Sequence, residues 1–426
     1  MSKWKTVTTT DFAEVISGAT PSTNVQEYWD GDIEWVTPVD LSKLKSRFLI
    51  STIRKISKKG LENSSTRLIP AFNVVMSSRA PIGYFAIPMK NFTTNQGCKS
   101  FKFYPDHDPE YFYYNFLFNI DYFKRYGSGS TFMEISKSDI EKLSFFIPIS
   151  PNEQRKIAHI LSSVDIVIEK TEAAIAKYEA IKTGMMHDLF TRGIDLNTGK
   201  LRPSYEEAPE IYKESELGWI PKDWDVKPLS RLTTQIGDGI HTTPKYSTNT
   251  PYFFINGNNL TNGRIVIPSE CPCVDEEEYK KHFQDLNNRT ILYSINGTIG
   301  NIAFYDSEKV ILGKSAAYIS CSKKICLEYI YFNLQTDAVT NFYKREMTGS
   351  TINNLSLASI RNTPIACPKN NDEQNEIAKR LNSINKKIEI EHLFLSKYQQ
   401  LKQGLMSDLL TCKVRVKYEE DKVEAV

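Results

Sequence analysis

The chain has 426 residues, 40% of them hydrophobic, and a formal net charge of +2 at pH 7. This length fits two or three domains with real cores, and the near-neutral balance excludes nucleic-acid binding through a global basic field. No apolar run is long enough to span a membrane and the opening residues lack a signal-peptide core, so a cytoplasmic protein without membrane contact is expected.

Residues 1–150 read as a first mixed α/β domain. Short β-rich runs at 84–88 and 99–104 alternate with Gly/Asn/Pro turns. Between 43 and 67, Lys43, Lys45, Arg47, Arg54, Lys55, Lys58, Lys59 and Arg67 face only Glu62. Such a patch can neutralise phosphates by counterion release, or can simply solubilise the surface. Arg79 lies in a Ser-Ser-Arg-Ala-Pro turn, and Asn95-Gln96 in a Thr-Thr-Asn-Gln-Gly turn. Arg can pair bidentately with guanine, and Asn or Gln with adenine. An aromatic helix is expected over about 109–125, with the Tyr/Phe cluster 111–118 in the core. Arg125 and Ser130, around a Gly-Ser-Thr turn, complete the candidates in this half.

A long helix is expected over 151–192. Pro151 opens it after Ser150, with Glu153 in capping-box position, and Gly193 can cap its end. Ile157, Val164, Thr171, Tyr178 and Met185 form one seam; Leu161, Ile168, Ile175, Lys182 and Leu189 form another. Both have a heptad period, so the helix is expected to join a coiled coil.

Residues 193–370 read as a linker, to about 223, and a second mixed domain with strands at 251–255 and 289–295. Its candidate polar turns hold His241, Asn256, Asn258, Asn259, Asn296 and Lys314, with Arg345 and Ser350 near its end. Each residue taken singly also suits a plain turn. The acidic run Asp275–Glu278 reads as a solvated loop.

Residues 371–426 hold a second long helix and a charged tail. Asn370 caps the helix; Ile377, Ile384, Glu391, Tyr398 and Leu405 form one seam, and Leu381, Ile388, Leu395, Lys402 and Leu409 the other. This helix repeats the first at a constant separation of 220 residues, without a gap. Glu153-Gln154 returns as Glu373-Gln374, and even the polar seam positions recur, Thr171 as Glu391 and Lys182 as Lys402. The globular halves repeat loosely: Trp4 matches Trp224, and both halves end in Lys-Arg followed by Gly-Ser-Thr. A folded domain must fit between the helices, so antiparallel pairing is expected. The fold class is therefore α/β, with two pseudo-repeated mixed domains separated by two long helices in an antiparallel coiled coil.

Catalytic signatures are missing. Gly313-Lys314-Ser315 resembles the end of a phosphate-binding loop, but Glu308 stands where that loop needs glycine. The six histidines form no metal-binding pair, and no nucleophile elbow or amino-methyltransferase tetrapeptide occurs. The seven scattered cysteines suit reduced thiols, and Cys271-Pro-Cys273 and Cys321-x4-Cys326 lack histidines at ligand spacing. No metal site and no catalysis are expected.

The chain resembles the specificity subunits of type I restriction-modification enzymes over essentially its whole length. The resemblance rests on Asn152–Leu161 and its echo Asp372–Leu381, on Lys182–Met186 and Lys402–Met406, on Leu217–Trp224, and on the Gly-Ser-Thr turns. It implies that each half is a target-recognition domain reading half of a bipartite asymmetric site in double-stranded DNA. The helix pair would set the unread spacer. Two modification subunits would bind it and methylate adenine with S-adenosylmethionine, and restriction subunits would add ATP- and Mg-dependent translocation and cleavage. No cofactor is expected in this chain itself. A two-module scaffold that binds no DNA, and a modification-only system, are the alternatives.

Overall fold

The structure, a computed structural model, describes residues 3–128, 133–347 and 354–418. It divides into two units, one comprising Met1–Ala174 with Glu391–Val426 and the other Ile175–Ile390. Both long helices, Pro151–Thr191 and Asn371–Leu410, contribute to both units.

In the first unit a five-stranded sheet runs in the order Ala13–Ser17, Cys98–Phe103, Val74–Ser77, Phe85–Pro88, Phe48–Leu49. A three-stranded sheet joins Lys55–Ile56, Trp29–Val36 and Phe92–Thr94, the last two parallel. The second unit repeats the plan. Thr233–Asp238, Ala316–Cys321, Thr290–Ser294 and Ile302–Phe304 form one sheet, and Tyr252–Ile255 lies parallel to Val310–Leu312 in the other. The strands expected at 84–88, 99–104, 251–255 and 289–295 are all present within a residue or two.

The expected aromatic helix is two helices, Pro109–Phe118 and Ile120–Arg125. Asn119 separates them, its side chain donating to the Asn115 carbonyl at 2.8 Å, a local bond that competes with helix continuation. Tyr111, Phe112, Tyr114 and Phe116 are fully buried, as core residues should be. Two other expectations change. The segment 193–223 is not a plain linker: it folds hairpins at Ile194–Asp195/Lys200–Leu201 and Tyr212–Ser215/Gly218–Pro221, and Trp219 stacks on Tyr205 at 4.3 Å. The acidic run is the first turn of the helix Glu276–Lys281, capped by Asp275, where carboxylates suit the helix dipole.

Each long helix is fastened to its domain by its repeated Glu-Gln pair. Gln154 donates to the Pro148 carbonyl at 2.9 Å and accepts from the Asp108 N–H at 2.8 Å; Gln374 does the same with Pro368 at 3.0 Å and Cys326 at 3.1 Å. Asp108 and Cys326 are the N-caps of the equivalent helices Pro109–Phe118 and Leu327–Asn333. Glu153, fully buried, accepts from the Trp4 indole at 3.1 Å and from Arg415; Glu373, 2% exposed, accepts from the Trp224 indole at 3.3 Å and from Arg202. In both units the tryptophan sits in a two-stranded ladder opposite the proline that ends the last strand, Trp4 opposite Pro148 and Trp224 opposite Pro368.

Within the first unit the start of the first helix packs against the end of the second. Ile157 and Leu161 share a core with Leu409 and Leu410, and Lys402 meets Asp165 at 2.6 Å. Within the second unit Leu189 and Phe190 share a core with Ile377 and Leu381. The pairing is therefore antiparallel. Every expected seam position, including Val164, Ile168, Ile175, Tyr178, Ile384, Ile388, Leu395 and Tyr398, is buried or half-buried. Asn370 caps the second helix through the Asp372 N–H at 2.8 Å, and Gly193 has φ +66° just past the end of the first.

Candidate nucleic-acid interface

Three turns converge at one end of the first domain's sheets. The strand Trp29–Val36 leads into a short helix, Pro38–Ser42, whose capping box joins Thr37 and Asp40. The second turn is Asn95-Gln96-Gly97, between the strands Phe92–Thr94 and Cys98–Phe103. The third carries Arg79, just past Val74–Ser77. Gly97 lets them meet, because a Cβ there would lie 2.9 Å from Pro38 and 3.2 Å from the Arg79 Nε. Asn95 Oδ1 accepts the Gly97 N–H at 3.0 Å and Gln96 Oε1 accepts the Thr20 hydroxyl at 2.5 Å. Arg79 stays exposed beside Glu134 at 3.6 Å.

The second domain builds the same cluster from other residues. After its own parallel strand, Tyr252–Ile255, a capping box joins Asn256 and Asn259. Gly313-Lys314-Ser315 links Val310–Leu312 to Ala316–Cys321, as Asn95–Gly97 does in the first domain. Asn296 follows Thr290–Ser294 and bridges to Asn354, as Arg79 bridges to Glu134. Ser315 Oγ accepts from the Gly257 N–H at 2.9 Å and donates to Asn256 Oδ1 at 3.0 Å, tying two of these turns together. Asn258 and Lys314 are exposed at the tips where the first domain exposes Val39 and Gln96. Turns that looked unrelated in the sequence thus occupy matching places on one frame.

The pattern of the type I restriction modification DNA specificity domain matches residues 1–179 and again 221–402. The chain belongs to this family. Among relatives of this specificity-subunit chain, the type I restriction enzyme MjaIX specificity subunit of Methanocaldococcus jannaschii is 29% identical over 385 residues, covering 86% of this chain and 83% of that protein. The MjaVIII specificity subunit of the same organism is 25% identical over 431 residues, covering 97% and 93%. The fold is similar to the crystal structure of the S subunit from M. genitalium, with TM-score 0.59 and 15% identity over 96% of both chains. It is also similar to a chain from a study of complex assembly and conformational transition of the type I R-M system, with TM-score 0.55, 14% identity, and 96% and 97% coverage.

The basic patch of this specificity chain is less open than its local sequence suggests. Arg47, 9% exposed, pairs with Glu110 at 3.3 Å, and Arg67 pairs with Glu14 at 2.7 Å. Lys55 meets buried Glu34 at 3.0 Å, Lys59 meets Glu27 at 2.7 Å and Lys58 meets Glu62 at 3.8 Å. Burial pushes the Glu34 carboxyl up, but the Thr52 N–H and hydroxyl and the Lys55 ammonium outweigh it and hold it below the usual range. Three partners, Glu14, Glu27 and Glu34, come from earlier in the chain and Glu110 from later, so a count over 43–67 misses them. Lys43 and Lys45 are exposed, with no carboxylate at ion-pairing distance among the described residues. Arg54 lies 3.7 Å over the Trp29 ring.

Of the other candidates, Arg125 and Arg345 are exposed at helix ends, and His241 is held by Asp238 at 2.9 Å. Ser130 and Ser350 lie outside the described residues. The sequence reading did not single out Val39, Ile53 and Val266, which are 51%, 67% and 47% exposed around the two clusters. Only Val39 left a signal, as a single β-branched residue inside a polar turn; Val266 lies within the apolar run Ile265–Ile267 and Ile53 soon after Leu49-Ile50.

Proposed function

We propose that this chain is the non-catalytic, sequence-reading subunit of a type I restriction-modification complex, each loop cluster reading one half of a bipartite, asymmetric site in double-stranded DNA. The observation that carries this is the duplicated frame with different tips: Arg79, Asn95 and Gln96 in one half, Asn258, Asn296 and Lys314 in the other. These side chains suit the donor and acceptor edges of the major groove. Lys43, Lys45 and Arg54 in the first half, with Lys314 in the second, would position the phosphates.

The two helices, 41 and 40 residues long, span about 60 Å each and would set the unread spacer. Off their seams they expose Ile166, Leu393, Phe394 and Leu401, 41–54% open, apolar surface suited to two modification subunits. Those partners would bring S-adenosylmethionine to the target adenine, and restriction subunits would bring ATP and Mg. A modification-only system would differ in lacking the latter.

Replacing residues 1–145 by those of a relative, within the complex with modification subunits, tests the reading. Mapping of methylated adenines should show one half of the motif changed and the other kept. A folded hybrid that alters both halves would contradict separate reading. Homogeneous chain that methylates DNA without a partner would contradict its non-catalytic role.

A further inference from the structure

One bridge recurs in both loop clusters, but its residues differ in charge. Arg79 faces Glu134 across an antiparallel bridge, and Asn296 faces Asn354. The registers make these places equivalent. Ser77 pairs with Cys98 and Ser294 with Ala316 in the neighbouring ladders. The next residues, Ser78 and Ile295, accept the N–H of Ile135 at 3.0 Å and of Leu355 at 2.9 Å. The Arg79 guanidinium lies 3.6 Å from Glu134, whereas the Asn296 amide donates to Asn354 Oδ1 at 3.4 Å. A second difference accompanies the first. One step along the same ladders, Lys99 stands opposite Met76 where Ala317 stands opposite Tyr293. Lys99 is 6% exposed, and its ammonium reaches Glu134 at 3.5 Å, the Gln96 carbonyl at 3.3 Å and the Ser78 hydroxyl at 3.2 Å. Burying a cation is costly, and the frame itself does not need one, since Ala317 fills the same place. An exposed ion pair such as Arg79 with Glu134 adds little stability either. The buried lysine goes with the carboxylate at the tip, which it holds and neutralises from beneath.

We propose that each bridged pair reads one base pair through both of its bases, Arg79 with Glu134 a G·C pair in one half-site and Asn296 with Asn354 an A·T pair in the other. This rests on the DNA-reading function proposed above. Residues opposite each other in an antiparallel bridge lie about 5 Å apart, close enough to meet the two bases of one pair. Arginine donates to guanine O6 and N7, while a carboxylate accepts from the cytosine N4 amine beside them. Asparagine matches adenine N6 and N7, and a second amide can donate to thymine O4. A carboxylate facing phosphates is repelled unless cations offset it. Lys99 and Arg79 do so in the first domain; the neutral pair of the second has no such need.

The test uses the full complex with modification subunits and duplexes carrying its mapped methylation site, each specified base pair being exchanged in turn. Arg79→Ala and Glu134→Ala should relax one and the same position, a G·C pair, on the order of tenfold each. Asn296→Ala and Asn354→Ala should both relax a single A·T position in the other half-site. Giving the first domain the second domain's set, Lys99→Ala with Arg79→Asn and Glu134→Asn, should turn its G·C preference toward A·T. A measurement on the unaltered protein stands apart from any folding defect: 7-deazaguanine at that G·C position, which removes the N7 acceptor, should weaken binding. Members of one bridge that act on different positions overturn this inference alone. So does a first-bridge position that is A·T, discrimination unchanged by Glu134→Ala, or binding indifferent to 7-deazaguanine at every guanine of the site. Absence of any site-specific binding overturns the DNA-reading function itself.

Discussion

The two units meet the same structural problem with different chemistry at one place in the helix seam. In the first, Asp165 accepts the Tyr114 hydroxyl at 2.6 Å and pairs with Lys402 at 2.6 Å. In the second, the repeat puts Asn385, Phe332 and Lys182 in these roles, and no carboxylate among the described residues reaches ion-pairing distance of Lys182. Burial there pulls the Lys182 amine below its usual value. The Glu, Gln and Trp of the enclosed anchors are the same residues in both units. What differs is the exposure of the arginine on each glutamate, one partly open polar pair and the exposed tips of the turns. Enclosed groups are fixed by every neighbour at once, whereas an exposed tip can change without disturbing the frame.

The largest expected effect comes from breaking an anchor. Glu373→Ala should cost roughly 3–5 kcal/mol in denaturant unfolding, because it leaves the buried Trp224 indole and Ile194 N–H unsatisfied and Arg202 with Asp223 as its one remaining carboxylate among the described residues. Glu153→Ala should cost less, since Arg415 is 34% exposed against 13% for Arg202 and can regain water. Equal costs would mean that the two anchors are energetically alike despite that difference.

The seam pair should give effects of opposite sign. Lys402→Met leaves Asp165 without its cation and should destabilise by about 1–3 kcal/mol. Lys182→Met removes an unpaired, desolvated amine and should stabilise. With its folded value below the ordinary lysine value, Lys182 releases its proton first in the native state. Its penalty is fully present at pH 7 and fades as pH rises toward about 10.4. The advantage of Lys182→Met should shrink over that rise; an advantage independent of pH would point to packing instead.

A smaller effect separates open from paired cations. Neutralising Lys43, Lys45 and Arg54 should flatten the salt dependence of DNA binding by roughly one unit for each phosphate no longer neutralised. Lys55→Gln and Lys59→Gln should change it less, because Glu34 and Glu27 already hold those amines.

Much of this molecule was legible in its sequence because periodic burial leaves periodic residues. The heptads gave both helices and their seams, and the 220-residue spacing of Trp4, Glu153 and Gln154 with Trp224, Glu373 and Gln374 marked the anchors before their bonds were known. The break at Asn119 was hidden because an asparagine inside an aromatic run suits a helix about as well as a boundary. The ion pairs of Lys55 and Lys59 were hidden because their carboxylates lie some 20–30 positions away. The equivalence of Arg79 with Asn296, and of Gln96 with Lys314, was invisible for another reason. It lies in strand order, and the residues themselves share nothing.

The central claim is that each loop cluster reads its own half-site, and one measurement bears on it most directly. Methylated adenines are mapped for the complex carrying Arg79→Ala with Asn95→Ala, and for that carrying Asn296→Ala with Lys314→Ala. Each pair should relax base preference in one half of the motif, by about 1–3 kcal/mol for each good bidentate base pairing removed, and leave the other half and the spacer unchanged. If either pair relaxed both halves equally, or lowered methylation everywhere with the motif intact, the clusters would not be separate readers.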